Sequence, residues 1–122
     1  RIVDGALQTI MAGLACGEPN TISWDILRNH ATAFVSCPDW VTARGMRTLG
    51  APEKGDPRVI SGESGAVTTG LVETLMLDPE YAELKELIGL DKTSSVLCFS
   101  TEGDTDPDQY RRIVWEGEYP TC

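Results

Sequence analysis

RVISGESGAVTTGLVETLM, residues 58–76, is the stretch that decides the predicted fold. A short apolar run at residues 58–60 leads into a segment of serine and glycine at residues 61–66. A helical pattern follows, because apolar residues recur every fourth position from Val67 to Leu75. A short apolar strand that passes through a tight turn into a helix is the unit of parallel sheets.

The same unit occurs twice more along the chain. Residues 33–35 form an apolar run before a helical stretch that Gly50 ends, and residues 96–99 precede a helix start marked by Asp106 and Pro107. Helices are predicted over residues 24–29 and 38–49, from Ser64, from Pro79 to Gly89, and from Pro107. We therefore expect an α/β fold, a partial parallel sheet with flanking helices.

Composition limits the classes of partner. The chain has 122 residues, of which 41% are hydrophobic, and a formal net charge of −9. This charge disfavours binding to nucleic acid or to an anionic membrane, because both depend on lysine and arginine. No apolar run approaches the roughly 20 residues needed to span a bilayer. We expect a soluble, cytoplasmic protein.

The cysteines indicate neither a zinc site nor a clear disulfide framework. Cys16, Cys37, Cys98 and Cys122 are widely spaced without a CxxC pair, and His30 is the only histidine. We therefore expect no metal site. A disulfide between Cys16 and Cys37 stays open, because a sequence does not fix the distance between two cysteines.

Two polar segments follow predicted strands, where open α/β sheets bind ligands. They are residues 61–66 and residues 100–104. Both offer hydroxyl and backbone N–H groups, and their glycines allow close approach of a ligand. The alternative is that both are ordinary turns and helix caps, since serine and glycine are common in such turns.

Three segments carry a resemblance to a known family. SGESGA (61–66), CFSTEGDTDP (98–107) and TIMAGLACGEP (9–19) resemble, in the same order, segments of threonine synthases and serine/threonine dehydratases. In detail, these segments together with SCPDWVTARGMR (36–47) look like the diaminopropionate ammonia-lyases. The resemblance covers essentially the whole chain. It implies that residues 1–122 are a single C-terminal segment of the large domain of a tryptophan synthase β-like enzyme.

The resemblance implies a fold-type II enzyme that uses pyridoxal 5'-phosphate and assembles as a homodimer. Its reaction would be β-elimination from 2,3-diaminopropionate, giving pyruvate and ammonia. In the family, the lysine that binds the cofactor and the glycine-rich phosphate loop lie in the N-terminal half. Lys54, Lys85 and Lys92 are the only lysines here and fit surface positions. We therefore expect no catalytic residue in this chain, and the fragment alone to be inactive.

Four cofactor-binding residues follow from the resemblance. Ser100 aligns with the hydroxyl residue that hydrogen-bonds the pyridine nitrogen, and Thr101 is its neighbour if the register slips by one. Glu63 takes the position of a glutamate near the cofactor ring, and Gly17 lies where the family's chain passes close to the cofactor. For Ser100 the structural alternative is a turn hydroxyl, and for Glu63 it is a first-turn carboxylate stabilised by the helix dipole.

Two other functions remain open at this point. An enzyme of the same fold could instead act on serine, threonine or O-phosphohomoserine. In this family the residues that set substrate specificity lie largely outside this segment. A stand-alone binding domain that reuses half of an enzyme fold is the alternative from a different class. Such a domain should be monodisperse and melt cooperatively, whereas an orphaned half should expose apolar surface and self-associate.

Overall fold

Helices account for all the regular secondary structure in the computed structural model, which describes residues 5–121. The helices are α1 (Thr21–His30), α2 (Asp39–Gly50), α3 (Glu63–Leu77), α4 (Ala82–Leu87) and α5 (Pro107–Val114), with 3-10 turns at Ala12–Leu14 and Pro79–Tyr81. α3 lies at the centre and contacts α2, α4 and both 3-10 turns, while α5 packs on α2.

Glycines at two positions bring the backbones of α2 and α3 into contact. A Cβ placed on Gly70 would lie 1.9 Å from the carbonyl oxygen of Val41, and one on Gly45 would lie 2.2 Å from that of Ala66. Real Cβ atoms do not approach other atoms so closely. The two helices therefore touch along their main chains, which only glycine permits at these two positions.

The core forms where α5 covers this helix pair. Its buried residues are Ala43, Met46, Ala66, Tyr110 and Ile113, and the half-buried side chains of Ile10, Leu49 and Val114 pack against them. Met46 and Ile113 are fully buried. Each such side chain contributes about 1.5–3 kcal/mol by leaving water, so this small cluster holds three separate segments together.

Two arginines of α2 tie distant segments to the helix pair. The Arg44 guanidinium binds both carboxylate oxygens of Asp78, at 2.5 and 3.2 Å, and its Nε lies 3.1 Å from Glu73. Arg47 donates to the carbonyl oxygens of Ile113 and Glu118. The first contact fixes the end of α3, and the second fixes the C-terminal tail.

Most predicted helices are confirmed. α2 ends at the predicted Gly50, and α5 begins at Pro107 with the Asp106 carboxylate accepting a hydrogen bond from the Gln109 N–H at 3.0 Å. α1 is longer than predicted, because Asn20 caps it through the N–H groups of Ile22 and Ser23. The helix predicted from Pro79 to Gly89 is divided into the 3-10 turn and α4.

The prediction of an α/β fold with a partial parallel sheet is wrong. Residues 33–35, 58–60 and 96–99 form no strand within residues 5–121. A strand requires a neighbour that takes up its backbone hydrogen bonds, whereas a short apolar run predicts only that its side chains seek burial. The side chains of these runs are largely exposed: Phe34, Val35, Ile60, Val96, Leu97 and Phe99.

α1 differs from the other long helices in burying none of its side chains. Ile22 is 79% exposed and Ile26 is 61% exposed, although both are apolar. The Trp24 ring lies 6.2 Å from that of Phe34, which links the helix to the segment that follows it. None of the helices described between residues 5 and 121 has the length and apolar content required to cross a membrane.

Candidate functional site

Two serine hydroxyls from segments far apart in the sequence meet beside the start of α3. Ser100 Oγ lies 2.8 Å from Ser61 Oγ, within hydrogen-bonding distance. Ser61 is fully buried, while Ser100 is exposed. The pair therefore runs from the interior to the surface, and Ser100 is the member that a ligand would meet.

Gly65 provides the space in which these hydroxyls lie. A Cβ at this position would be 2.7 Å from Ser61 Oγ, 3.3 Å from Ser100 Oγ and 3.0 Å from the Thr101 backbone nitrogen. Gly65 is buried in the first turn of α3. The absence of a side chain here allows residues 100–101 to pass directly over the helix.

Glu102 connects the loop at residues 100–104 to the first turn of α3 by two hydrogen bonds. Its carboxylate accepts a hydrogen bond from the Ser64 N–H at 2.7 Å, and its carbonyl oxygen accepts one from the Gly62 N–H at 3.0 Å. The first N–H groups of a helix have no partner within the helix and need an acceptor from elsewhere. Gly62, the cap residue, has no side chain, so Glu102 supplies that acceptor.

A third segment reaches the same place. The Gly13 N–H donates to Ser64 Oγ at 3.2 Å, which attaches the 3-10 turn Ala12–Leu14 to α3. Beneath them, the Thr42 hydroxyl donates to the carbonyl oxygen of Glu63 and ties α2 to the first turn of α3. Segments from three parts of the sequence thus converge on residues 61–65.

A cavity of about 270 Å³ adjoins this convergence and is acidic. It is lined by Ile10, Ala12, Glu63, Ser64, Glu102, Thr105, Asp106 and Gln109. Three carboxylates and no lysine or arginine occur among these described lining residues. Such a lining opposes the binding of a phosphate group, which needs cationic or N–H donors.

Burial raises the pKa of the Glu63 carboxyl above its ordinary value, and repulsion from Glu102 and Asp106 adds to the effect. A hydrogen bond to its own backbone N–H opposes the shift but does not outweigh burial. The folded protein therefore holds the Glu63 proton more tightly than the unfolded chain does. The contribution of Glu63 to the free energy of unfolding therefore falls as pH rises from the ordinary pKa of 4.5 through the raised value.

We expect Glu63→Gln to raise the melting temperature of the cofactor-free protein at pH 7, relative to the unmodified protein. At about pH 4 the two melting temperatures should be the same. Glutamine keeps the shape of the side chain and removes the ionisation that folding disfavours. Differential scanning calorimetry from pH 4 to pH 8 measures the effect. Glu83→Gln is the control, because Glu83 is an exposed carboxylate in the first turn of α4. An equal gain in both variants at pH 7 would contradict the expectation.

The structure brings together some of the four predicted cofactor residues. Ser100 and Thr101 lie together over Gly65, and Glu63 lies at the start of the same helix beside the acidic cavity. Gly17 lies in a half-buried bend, and the contact of its segment with α3 is made by Gly13 instead.

Sequence reasoning missed the roles of two residues in this arrangement. Ser61 is the buried partner of Ser100, and Glu102 is the acceptor at the start of α3. One signal was available for Ser61, which directly follows an apolar run. For Glu102 the sequence offered none, because its partner Ser64 is brought near only by the fold.

The three cysteines that the structure describes take no part in this site. Cys16, Cys37 and Cys98 are free thiols, so Cys16 and Cys37 are not joined in this structure. Burial raises the pKa of the Cys37 thiol above its ordinary value, which disfavours the thiolate form that reacts. Cys122 lies outside the described residues. Residues 5–121 hold no group of three or more histidine, cysteine, aspartate or glutamate side chains suited to a metal ion.

The donor set fits one end of pyridoxal 5'-phosphate and not the other. An exposed hydroxyl that is held by a buried one fits an aromatic ring nitrogen, which accepts a single hydrogen bond. The acidic cavity does not fit the phosphate. The residues that bind the phosphate, and the lysine that attaches the cofactor covalently, would therefore lie outside this site.

Comparison with known proteins confirms the resemblance inferred from the sequence motifs. The chain is 56% identical over 117 residues to the diaminopropionate ammonia-lyase of Escherichia coli K12, covering 96% of the chain and 29% of that enzyme. It is 52% identical over 116 residues to the enzyme of the same name from Salmonella typhimurium LT2, covering 94% of the chain and 29% of the enzyme. No protein-family model matches.

Solved structures show the same likeness. A crystal structure of the Escherichia coli enzyme in complex with an aminoacrylate-PLP azomethine reaction intermediate matches with a TM-score of 0.86 and 57% identity, covering 91% of the chain and 29% of the other. The holo enzyme matches with a TM-score of 0.87 and 55% identity, covering 93% and 29%. The chain thus spans less than a third of the relatives it matches, and the matched part is C-terminal.

Proposed function

We propose that this chain is the C-terminal part of a pyridoxal-phosphate-dependent ammonia-lyase that converts 2,3-diaminopropionate to pyruvate and ammonia. One observation carries the proposal. The two loops that the family resemblance assigns to the cofactor, residues 61–66 and 100–104, meet through the hydrogen bond between Ser100 and Ser61. Residues 1–122 then form a single segment of the enzyme's large domain.

Ser100 is the residue that binds the ring nitrogen of the cofactor. Pyridoxal phosphate, when bound, supplies the electron sink that lets the substrate lose its α-proton and then its β-amine. A hydroxyl donates one hydrogen bond and, unlike a carboxylate, does not hold the ring nitrogen protonated. Ser100 therefore tunes the cofactor toward elimination, and its exposure at the surface of the site supports this role.

The other three residues define the surroundings of the ring. Thr101 follows Ser100 over Gly65 and offers a second hydroxyl and a backbone N–H. Glu63 places a carboxylate with a raised pKa at the start of α3. Gly17 would bring the chain near the cofactor without a side chain in the way, although its contacts here do not reach the other three.

Catalysis depends on polypeptide beyond this segment. Lys54 lies in the loop after α2, Lys85 in α4 and Lys92 in the turn that follows α4, so all three lie outside the convergence on residues 61–65. The chain alone is therefore inactive. The exposed apolar side chains of residues 33–35 and 96–99 support its being one part of a larger protein, because apolar patches mark interfaces.

We place the enzyme in the cytoplasm as a homodimer that acts on a small amino acid. The free thiols of Cys16, Cys37 and Cys98 are consistent with a reducing compartment. Neither nucleic acid nor an anionic membrane is an expected partner of a chain with net charge −9. Assays of the parent enzyme with diaminopropionate, serine, threonine and O-phosphohomoserine would identify the substrate.

The test of Ser100 uses the full-length enzyme with Ser100→Ala and Ser100→Asp. We expect Ser100→Ala to weaken cofactor binding by up to about tenfold, the value of a single hydrogen bond. Ser100→Asp should slow elimination further and change the cofactor's absorbance, because an ionised carboxylate stabilises the protonated form of the ring nitrogen. Ser95→Ala, an exposed serine five positions earlier in the chain, is the control. Unchanged elimination and absorbance in both Ser100 variants would disprove the assignment.

A further inference from the structure

Ser61 lies behind the proposed cofactor contact, and its hydroxyl is only partly satisfied. The residue is fully buried, and its Oγ accepts a hydrogen bond from Ser100 at 2.8 Å. The bond that it donates, to the carbonyl oxygen of the adjacent Gly62, is long at 3.3 Å. That distance exceeds the usual range for hydroxyl donors, so the Ser61 proton lacks a good acceptor.

The two hydroxyls can exchange the roles of donor and acceptor. Each carries one proton that rotates freely and two lone pairs, and the same 2.8 Å separation serves a bond in either direction. When Ser61 donates, its buried proton gains a close acceptor. The Ser100 proton is then free to turn toward the exposed side of the site.

The second hydrogen-bond partner of Ser100, the Glu102 carbonyl oxygen, would draw the Ser100 proton away from a ligand. The carbonyl oxygen of Glu102 lies 3.4 Å from Ser100 Oγ and accepts hydrogen bonds only. Without the Ser61 hydroxyl, the Ser100 proton would turn toward that carbonyl. A ligand that needs the proton would then compete with Glu102 for it.

We propose that Ser61 is a positioning residue, which donates to Ser100 and thereby directs the Ser100 proton to the cofactor's ring nitrogen. The proposal rests on the proposed function, because it requires Ser100 to contact that nitrogen. Burial fixes Ser61 in place, and the bare backbone at Gly65 lets Ser100 approach it. Ser61 itself does not touch the cofactor.

The experiment compares Ser61→Ala, Ser100→Ala and the double variant in the full-length holoenzyme. Cofactor affinity and the NMR chemical shift of an isotopically labelled ring nitrogen are measured together with kcat and KM. We expect Ser61→Ala to weaken cofactor binding by about two- to tenfold and to move the nitrogen shift toward that of Ser100→Ala. The double variant should match Ser100→Ala alone, because residues that act as a unit are not additive.

Thr74→Val is the matched control for the loss of a buried hydroxyl. Thr74 is 3% exposed in the last part of α3, and its Oγ1 accepts a hydrogen bond from Arg44 at 3.3 Å. We expect Thr74→Val to affect stability while leaving the nitrogen shift unchanged. If Ser61→Ala does not fold, Ser61→Cys gives the same comparison, since a thiol fills the position with a weaker donor.

The outcomes separate this proposal from the one on which it rests. If Ser100→Ala leaves cofactor affinity and nitrogen shift unchanged, the proposed contact of Ser100 is wrong and the role of Ser61 falls with it. If Ser100→Ala alters both and Ser61→Ala alters neither, only the positioning role is wrong. Additive losses in the double variant would also overturn that role, because they would show that Ser61 acts independently of Ser100.

Discussion

Gly70→Ala is expected to destabilise the folded protein by about 2 kcal/mol or more, the net of a backbone clash and a gain in helix propensity. Its Cβ would lie 1.9 Å from the carbonyl oxygen of Val41 and 2.9 Å from the Gly45 nitrogen. Both are backbone atoms, which no change of rotamer can move away, so α2 and α3 must separate. Overpacking usually destabilises a core by about 1–3 kcal/mol, and a rigid main-chain clash belongs at the upper end. The better helix propensity of alanine, about 1 kcal/mol, offsets only part of this.

Urea unfolding followed by circular dichroism would measure the change. Thr68→Ala is the matched control, because Thr68 lies in the same helix with an exposed side chain. Its free energy of unfolding should change by no more than about 0.5 kcal/mol. A Gly70→Ala protein as stable as the control would mean that the helices do not touch along their main chains.

Gly65→Ala is expected to impair the site while leaving most of the fold intact. The added Cβ would lie 2.7 Å from Ser61 Oγ and 3.0 Å from the Thr101 nitrogen, so residues 100–101 must move outward. Displacing a binding group by about 1 Å reduces activity by about 100-fold in well-ordered sites. We expect a loss of that size in kcat/KM of the full-length enzyme, together with weaker cofactor binding.

Thr68→Ala is the control for this substitution. Thr68 lies about one turn further along the same helix with an exposed side chain, outside residues 61–66 and 100–104. Cofactor binding by this variant, measured by fluorescence titration, should stay close to that of the unmodified enzyme. If Gly65→Ala binds cofactor as tightly as Thr68→Ala does, then residues 100–101 do not lie against the ring.

The helices were predictable from local signals, whereas the sheet was predicted wrongly from equally local ones. Gly50 ends α2, and Asp106 and Pro107 mark the start of α5, as predicted. Each of these signals depends only on residues close to it in the sequence. The apolar runs at residues 33–35, 58–60 and 96–99 specify burial, but strand pairing depends on a neighbour that a single run does not identify. The prediction of strands therefore assumed partners that the described residues do not supply.

The candidate site also has one part that the sequence could predict and another that it could not. Ser100, Thr101 and Glu63 were predicted as cofactor-binding residues because their segments resemble a family, and the structure brings these segments together. Neither the hydrogen bond from Ser100 to Ser61 nor that from the Ser64 N–H to Glu102 has a local signal, since each joins residues nearly forty positions apart. Contacts of this kind follow from how α3 packs against the loop, which no pattern of spacing encodes.

The convergence of three distant segments at the start of α3 has a kinetic consequence. The contact between Gly13 and Ser64 closes a loop of 51 residues, and that between Ser64 and Glu102 closes one of 38. Closure of long loops opposes early formation of such contacts, so proteins rich in them refold slowly. Helical signal should therefore return first on refolding, and the contacts around residues 61–65 should return last.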